Sequence, residues 1–400
     1  MSIISTRVQK MQPSPTLAIT AKANELKKQG KNIISLSVGE PDFDTPQEAK
    51  QGGIDAINQG KTKYTAVDGT AELKQAIAYK FKIENEIEYA PSEITVGCGA
   101  KHVIFNAFLA TVNAGDEVII PAPYWVSYPD MVELFDGVAV IVKTTFENSF
   151  KITAAELKKA ITPKTKWVIL NSPSNPTGEV YTKEELLAIG KVVEENPHVY
   201  VMSDDIYEHL IFGQKFYTIA QLFPNLQNRI LTINGVSKGY AMTGWRIGYA
   251  GIKNKEIIGA ISKVQSQSTT NPSSISQEAA RTGILNAGNF RHETVPVFQK
   301  RRDYVFGRLT KMNGIKAKLP AGAFYVFFSV EGLIGKKAEN GKVLNSAETI
   351  TEHLLEDAEV ACVHGEAFGF PGFIRISYAT SEKILEEAMD RMEKCFAKIK

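Results

Sequence analysis

The sequence predicts an α/β fold, in which a large domain built on a mostly parallel sheet covered by helices is followed by a smaller α+β domain. Three observations predict it. Between about Pro46 and Gly288, amphipathic helical stretches alternate with short β-branched runs bounded by turn residues. The capping boxes Thr153-x-x-Glu156 and Thr182-x-x-Glu185 open helices between those runs. After Arg291 the alternation stops and gives way to a long basic helix, an aromatic strand and two further helices. A chain of 400 residues has room for one large core and a smaller one.

Residues 1–45 hold one helix, about Thr16 to Gln29, and one strand, Ile33 to Ser37. That is too little to fold alone, so this segment is expected to pack against the small domain. In the large domain, residues 46–290, Thr70 to Asn85 and Ala100 to Val112 read as helices. The strands are Glu93 to Gly97, Glu117 to Pro121, Lys166 to Asn171, Val199 to Ser203 and Ile230 to Asn234, and an apolar, glycine-bearing run follows at Ile247 to Gly251. Strands separated by helices need crossover connections, which makes the sheet parallel and buries both its faces. In the small domain, residues 291–400, the strand signals are Gly322 to Phe328 and Phe373 to Ser377. Helices are expected near Glu348 to Asp357 and from Ser381 onward, and Gly332 to Asn345, rich in Gly and Lys, is expected to be a flexible loop.

Composition narrows the function class. With 44% hydrophobic and 22% charged residues and a net charge of +2, the chain offers no electrostatic case for nucleic acid or membrane partners. Cys98, Cys362 and Cys395 are widely spaced and lack any CxxC pairing, so they read as reduced thiols. Met1 to Lys10 lacks the apolar centre of a signal peptide, and no run of about 18 apolar residues occurs. A cytoplasmic enzyme is the expectation.

Its chemistry is suggested by the loop Asn234-Gly235-Val236-Ser237-Lys238-Gly239-Tyr240-Ala241-Met242-Thr243-Gly244-Trp245-Arg246. A cofactor bearing an aldehyde and a phosphate would find there an amine for a Schiff base, and a hydroxyl and a guanidinium for the phosphate. That points to pyridoxal phosphate. Ligands bind at the carboxyl ends of parallel strands, and unusual polar residues cluster there. Gly97-Cys98-Gly99-Ala100-Lys101 is a glycine turn opening a helix, whose free N–H groups suit a phosphate. Asn171-Ser172-Pro173-Ser174-Asn175-Pro176-Thr177-Gly178 presents the Asn175 amide as a donor. In Ser203-Asp204-Asp205-Ile206-Tyr207 an acidic residue at a strand end can keep a pyridine nitrogen protonated, and Tyr207 can join Asn175 at the ring hydroxyl.

With these motifs in place the sequence resembles a class I aminotransferase of the fold-type I pyridoxal-phosphate group, in its bacterial aspartate aminotransferase branch. The likeness runs from Val38-Gly39-Glu40-Pro41-Asp42-Phe43 through Lys63-Tyr64-Thr65, Pro123-Tyr124-Trp125-Val126-Ser127-Tyr128, Asn175-Pro176-Thr177-Gly178 and the Lys238 segment to Arg375-Ile376-Ser377-Tyr378. A seven-stranded large-domain sheet is the expectation. The resemblance implies that Lys238 is catalytic, forming the Schiff base and then shuttling a proton. It implies that Asp204 pairs with the ring nitrogen, that Asn175 and Tyr207 bond the ring hydroxyl, and that Trp125 stacks on the ring. Ser237, Arg246 and the turn Gly99, Ala100 and Lys101 would hold the phosphate, with Tyr64 reaching in from a second subunit of a homodimer. Gly39, Trp125, Asn175 and Arg375 would hold the substrate, Arg375 gripping its α-carboxylate.

The same resemblance places Lys101 at the second carboxylate of an acidic substrate, helped by Ser14 and Thr16, so the expected reaction is ping-pong amino transfer from L-aspartate to 2-oxoglutarate. Relatives that also transaminate prephenate carry a basic residue where this chain has Gln12, which lowers that expectation. Ala100, often glycine in relatives, is a smaller departure. The rivals are an aromatic, alanine or glutamate/aspartate-prephenate aminotransferase, or a β-lyase on the same scaffold. A non-enzymatic regulator would need a DNA-binding domain, for which there is no room before Val38.

Overall fold

The structure, a computed structural model, describes residues 2–11, 13 and 15–400. Its centre is a sheet of seven strands, and one strand of a separate two-stranded pair precedes that sheet along the chain. The pair begins with β1 (Ile34–Ser35); the sheet holds β2 (Ile94–Gly97), β3 (Glu117–Ala122), β4 (Val138–Lys143), β5 (Thr165–Asn171), β6 (Tyr200–Asp204), β7 (Ile230–Gly235) and β8 (Gly248–Gly251). Strand order is β2-β8-β7-β6-β5-β3-β4. All neighbours are parallel except at β8, which runs against both β2 and β7. The mostly parallel, seven-stranded α/β sheet expected from the sequence is therefore what the chain forms.

The strand residues alternate between two cores. Val168, Leu170, Val201 and Ile230 face one apolar cluster, while Trp167, Ile169, Met202, Leu231 and Ile233 face the other. Both faces are thus covered, and the sheet interior has no access to water. The helices begin where their caps dictate: Thr153 and Thr182 close capping boxes with Glu156 and Glu185, and Thr70 caps the helix Ala71–Asn85.

A second, antiparallel sheet is made of β9 (Lys316–Ala317), β10 (Tyr325–Ser329), β12 (Val363–His364) and β13 (Phe373–Ser377), in the order β12-β13-β10-β9. Strand β11 (Val360–Ala361) pairs in parallel with β1, and Ile34 and Leu36 share an apolar cluster with residues 298–399. The 22-residue helix Gly288–Leu309 is tied at three levels. Arg291 pairs with Glu84 at 2.7 Å; Arg301 grips both carboxylate oxygens of Asp42 at 2.7 and 2.9 Å; Arg308 meets Asp390 and Glu393 at 2.7 Å each.

Several elements lie outside the sequence expectation, the short strands β9, β11 and β12 among them. Edge strand β4 is half exposed along its length and pairs only with β3, and a short helix, Thr6–Lys10, buries none of its residues. The N-terminal strand is also shorter than expected, because only Ile34 and Ser35 find ladder partners. Within 332–345, Lys337 bridges to Val343 and exchanges backbone hydrogen bonds of 2.8 and 3.0 Å with Lys400, and Leu344 is buried. Among the described residues no helix is long and apolar enough to cross a membrane.

Candidate active site

Strands β5 and β6 end at Asn171 and Asp204, and β7 ends at Gly235, all on the edge of the sheet at which the reversed strand β8 begins. Above this edge lies a cavity of about 430 Å³. Lys238, Asp204, Tyr207 and Asn175 line it, as do Ser237, Arg246, Ala100 and Lys101, together with Trp125, Gly39 and Arg375. Residues scattered over most of the chain thus converge on one space.

Lys238 stands three residues past β7, and its Nζ donates to the backbone oxygen of Gly39. Burial pushes its amine down to about 8, with Arg246 and Arg375 adding to the effect against the opposing pull of Glu40 and Asp204. Asp204, the last residue of β6, is buried, and burial pushes its carboxyl up to about 6. Tyr128 Oη donates to Asp204 Oδ2 at 2.6 Å and acts in the opposite direction, favouring the carboxylate. Amine and acid thus both sit near the pH range in which proton transfer is easiest.

Arg375 leaves the middle of β13 and is wholly enclosed. Its Nη1 donates to Asn175 Oδ1 at 2.9 Å and its Nη2 donates to the Ser37 carbonyl, while the buried Nε has no partner. The guanidinium carbon lies 4.6 Å from the Tyr325 ring centre and 5.0 Å from that of Phe368. Asn175 is itself fixed: its N–H donates to Asn171 Oδ1, and Asn171 Nδ2 donates to the Asp204 carbonyl, both at 2.9 Å.

The opposite end of the cavity is shaped for an anion. Ala100 is the first residue of the helix Ala100–Thr111, whose leading N–H groups are unpaired within the helix. Gly99 precedes it at φ 93°, and a Cβ there would stand 2.5 Å from Arg246 Nη2. Only glycine fits between turn and guanidinium. Arg246 is itself left-handed at φ 56° and anchored by Nη1 to the Thr243 carbonyl at 2.8 Å. Beside the mouth, Lys101 Nζ lies 4.7 Å from the Trp125 ring centre.

Two expected residues do not line this cavity. Gly99 lies behind Arg246, and Tyr64 is 89% exposed. Thr16 does line it; Gln12 and Ser14 lie outside the described residues. Sequence reading missed Tyr128 and Tyr325. Tyr128 stands in the Pro123 to Tyr128 motif and Tyr325 in the Gly322 to Phe328 strand signal, but only their contacts with Asp204 and Tyr207 reveal what they touch.

This constellation can now be set beside known proteins. The sequence pattern of "Aminotransferase class I and II" matches residues 31–392. The chain belongs to this family. As an aminotransferase, it is 50% identical over 394 residues to the aspartate/prephenate aminotransferase of Cereibacter sphaeroides, covering 98% of each chain. Its structure superimposes on the aspartate aminotransferase of Rhizobium meliloti with a TM-score of 0.97 at 47% identity, covering 100% of both chains. It matches the Thermus thermophilus aspartate aminotransferase solved with maleate with a TM-score of 0.92 at 42% identity, over 99% of this chain and 100% of that one.

Proposed function

We propose that this aminotransferase moves an amino group from L-aspartate to 2-oxoglutarate, giving oxaloacetate and L-glutamate in two half-reactions, with pyridoxal 5′-phosphate held at Lys238. The observation that carries the reading is the meeting, in one cavity, of Lys238 with two cationic side chains, Arg375 and Lys101. An amino acid with two carboxylates needs both. The names of the Cereibacter, Rhizobium and Thermus relatives, and the dicarboxylate maleate in the last, support the choice of an acidic substrate.

The residues present fit the cofactor. The glycine-only space at Gly99, the helix N-terminus at Ala100, Ser237 and Arg246 make a phosphate cradle at one end, and the buried Asp204 suits a cationic ring nitrogen. When bound, the cofactor draws electrons from the substrate α-carbon and so acidifies its hydrogen. Lys238, whose amine burial brings down to about 8, would take that proton as general base and give it back as general acid. Asp204, its carboxylate held by Tyr128, would keep the ring nitrogen charged. Asn175 and Tyr207 would donate toward the ring hydroxyl, and Trp125 would pack on the ring. Arg375 takes the α-carboxylate in a paired hydrogen bond, Gly39 lets the backbone approach the substrate, and Lys101 meets the distal carboxylate. The exposed Tyr64 is assigned to the phosphate of a second subunit, so the working unit is a homodimer in the cytoplasm, with each chain divided into residues 1–45, 46–290 and 291–400.

Lys101→Ala tests the substrate assignment. Losing one charge-assisted contact should lower kcat/KM for aspartate roughly 10- to 100-fold and leave alanine nearly unchanged. An unaltered aspartate value would remove Lys101 from the substrate. A second reading, prephenate as amino acceptor, is favoured by the name of the Cereibacter relative. Amino transfer from aspartate to prephenate at a rate comparable with 2-oxoglutarate would establish it.

A further inference from the structure

Tyr325 belongs to β10 of the small sheet, and its side chain is completely buried. In the β10–β13 register Phe327 faces Arg375, so Tyr325 is the diagonal neighbour of Arg375 on the same face. Its ring lies 4.6 Å beneath the guanidinium, and its Oη is 2.8 Å from Tyr207 Oη. The Gly39 backbone rests on the same hydroxyl: a Cβ at Gly39 would come within 2.4 Å of Tyr325 Oη. One phenol therefore touches three residues assigned above to cofactor or substrate.

Proton counting orders this contact. Each phenol owns one hydrogen. If Tyr207 spends its hydrogen on the ring hydroxyl of the cofactor, the Tyr207–Tyr325 bond survives only with Tyr325 as donor. A cation over the Tyr325 ring makes its hydroxyl a better donor, and donation into Tyr207 makes Tyr207 a better donor in turn. A carboxylate bound to Arg375 offsets the cation and weakens both.

We infer that Tyr325 is a positioning residue that links Arg375 to Tyr207, so that filling the carboxylate site is felt at the cofactor's ring hydroxyl. This rests on the assignments of Tyr207 and Arg375 in the proposed function. It gives Tyr325 a role that burial alone would not require, since phenylalanine would fill the same volume.

The experiment is a pH titration of visible absorbance in the pyridoxal-phosphate-loaded protein, with and without succinate, for the wild type, Tyr325→Phe, Tyr207→Phe and the double variant. Phenylalanine keeps the ring under Arg375 and removes only the hydroxyl. Weaker donation leaves more negative charge on the ring oxygen, which holds the neighbouring proton more tightly and raises the midpoint. Tyr325→Phe should raise it by about half a pH unit, shrink the upward shift caused by succinate, and add nothing in the Tyr207→Phe background. A Tyr325→Phe midpoint and succinate shift equal to wild type would overturn the inference, as would additive effects in the double variant. A different failure is also visible: if Tyr207→Phe leaves the midpoint unmoved, the assignment of Tyr207 falls and takes the link with it.

Discussion

Asp42→Ala should destabilise the protein by an amount the structure allows one to work out. Arg301 is 8% exposed at its side chain and holds Asp42 through two hydrogen bonds. Its guanidinium is packed between the rings of Phe43 and Phe298, 5.4 and 5.7 Å away. Removing the carboxylate strands a cation among aromatic rings, a change that costs about 3–5 kcal/mol. Asp42 is 29% exposed at its side chain, so water reaches the site and the lower end, about 3 kcal/mol, applies. Unfolding entropy is about 2.1 cal/mol/K per residue, which over 400 residues gives roughly 0.8 kcal/mol/K and a fall in Tm of about 3–4 °C. The assay is scanning calorimetry of Asp42→Ala, Arg301→Met and the double variant. Apolar replacement of both partners removes the stranded charge, so the double variant should recover much of the loss. A fall below about 1 °C for Asp42→Ala, or losses that simply add, would refute the reasoning. The same lesion loosens the segment carrying Gly39, so KM should rise more than kcat falls.

Tyr128→Phe removes the donor that favours ionised Asp204, so its carboxyl should move further up and kcat fall about tenfold or more; an unchanged kcat would show that the contact is idle. Capture of added pyridoxal phosphate by the cofactor-free protein should accelerate about tenfold per pH unit below 8 and level off above it, because only the uncharged Lys238 amine attacks; a rate still climbing at pH 10 would mean an ordinary lysine. Two glycine-to-alanine changes inside helices should have opposite signs. In Lys183–Glu195, a Cβ at Gly190 would lie 2.0 Å from the Phe223 ring, so Gly190→Ala should cost about 1–3 kcal/mol. Nothing lies within 4 Å of the position at the exposed Gly259 of Lys255–Ser266, so Gly259→Ala should add roughly 0.5–1 kcal/mol; a urea midpoint that rises for Gly190→Ala or falls for Gly259→Ala would contradict the corresponding prediction.

What could be read in the sequence was local. The capping boxes at Thr153 and Thr182 are written in four residues, and Lys238 announces itself by the serine beside it and the arginine eight positions on. Strand β4 does carry a β-branched run, Val138 to Val142, but the run does not alternate, and nothing in it foretells an edge strand with one partner and a half-exposed face. The helix Thr6–Lys10 buries nothing and so leaves no apolar period to find. The side-chain pairs Tyr128–Asp204 and Tyr207–Tyr325 join residues 76 and 118 positions apart, and no spacing rule reaches that far. Resemblance pointed to the residues that would touch ligands, but not to those that hold them.

The reversed strand β8 has a consequence for the order in which the molecule assembles. Because β7 and β8 are antiparallel neighbours, paired from Thr232 with Gly251 to Gly235 with Gly248, the loop bearing Ser237, Lys238 and Arg246 is closed at its base like a hairpin. Val236 and Ile247 extend the closure with a further backbone hydrogen bond of 3.2 Å. Amine and guanidinium are therefore brought together by a short-range event, whereas Arg246 meets the Cys98 carbonyl across 148 residues and must wait for the whole sheet. During refolding, amides of the β7–β8 pair should gain protection from exchange before those around Gly99, so half of the anion cradle would exist as a local unit before the cavity it serves has walls.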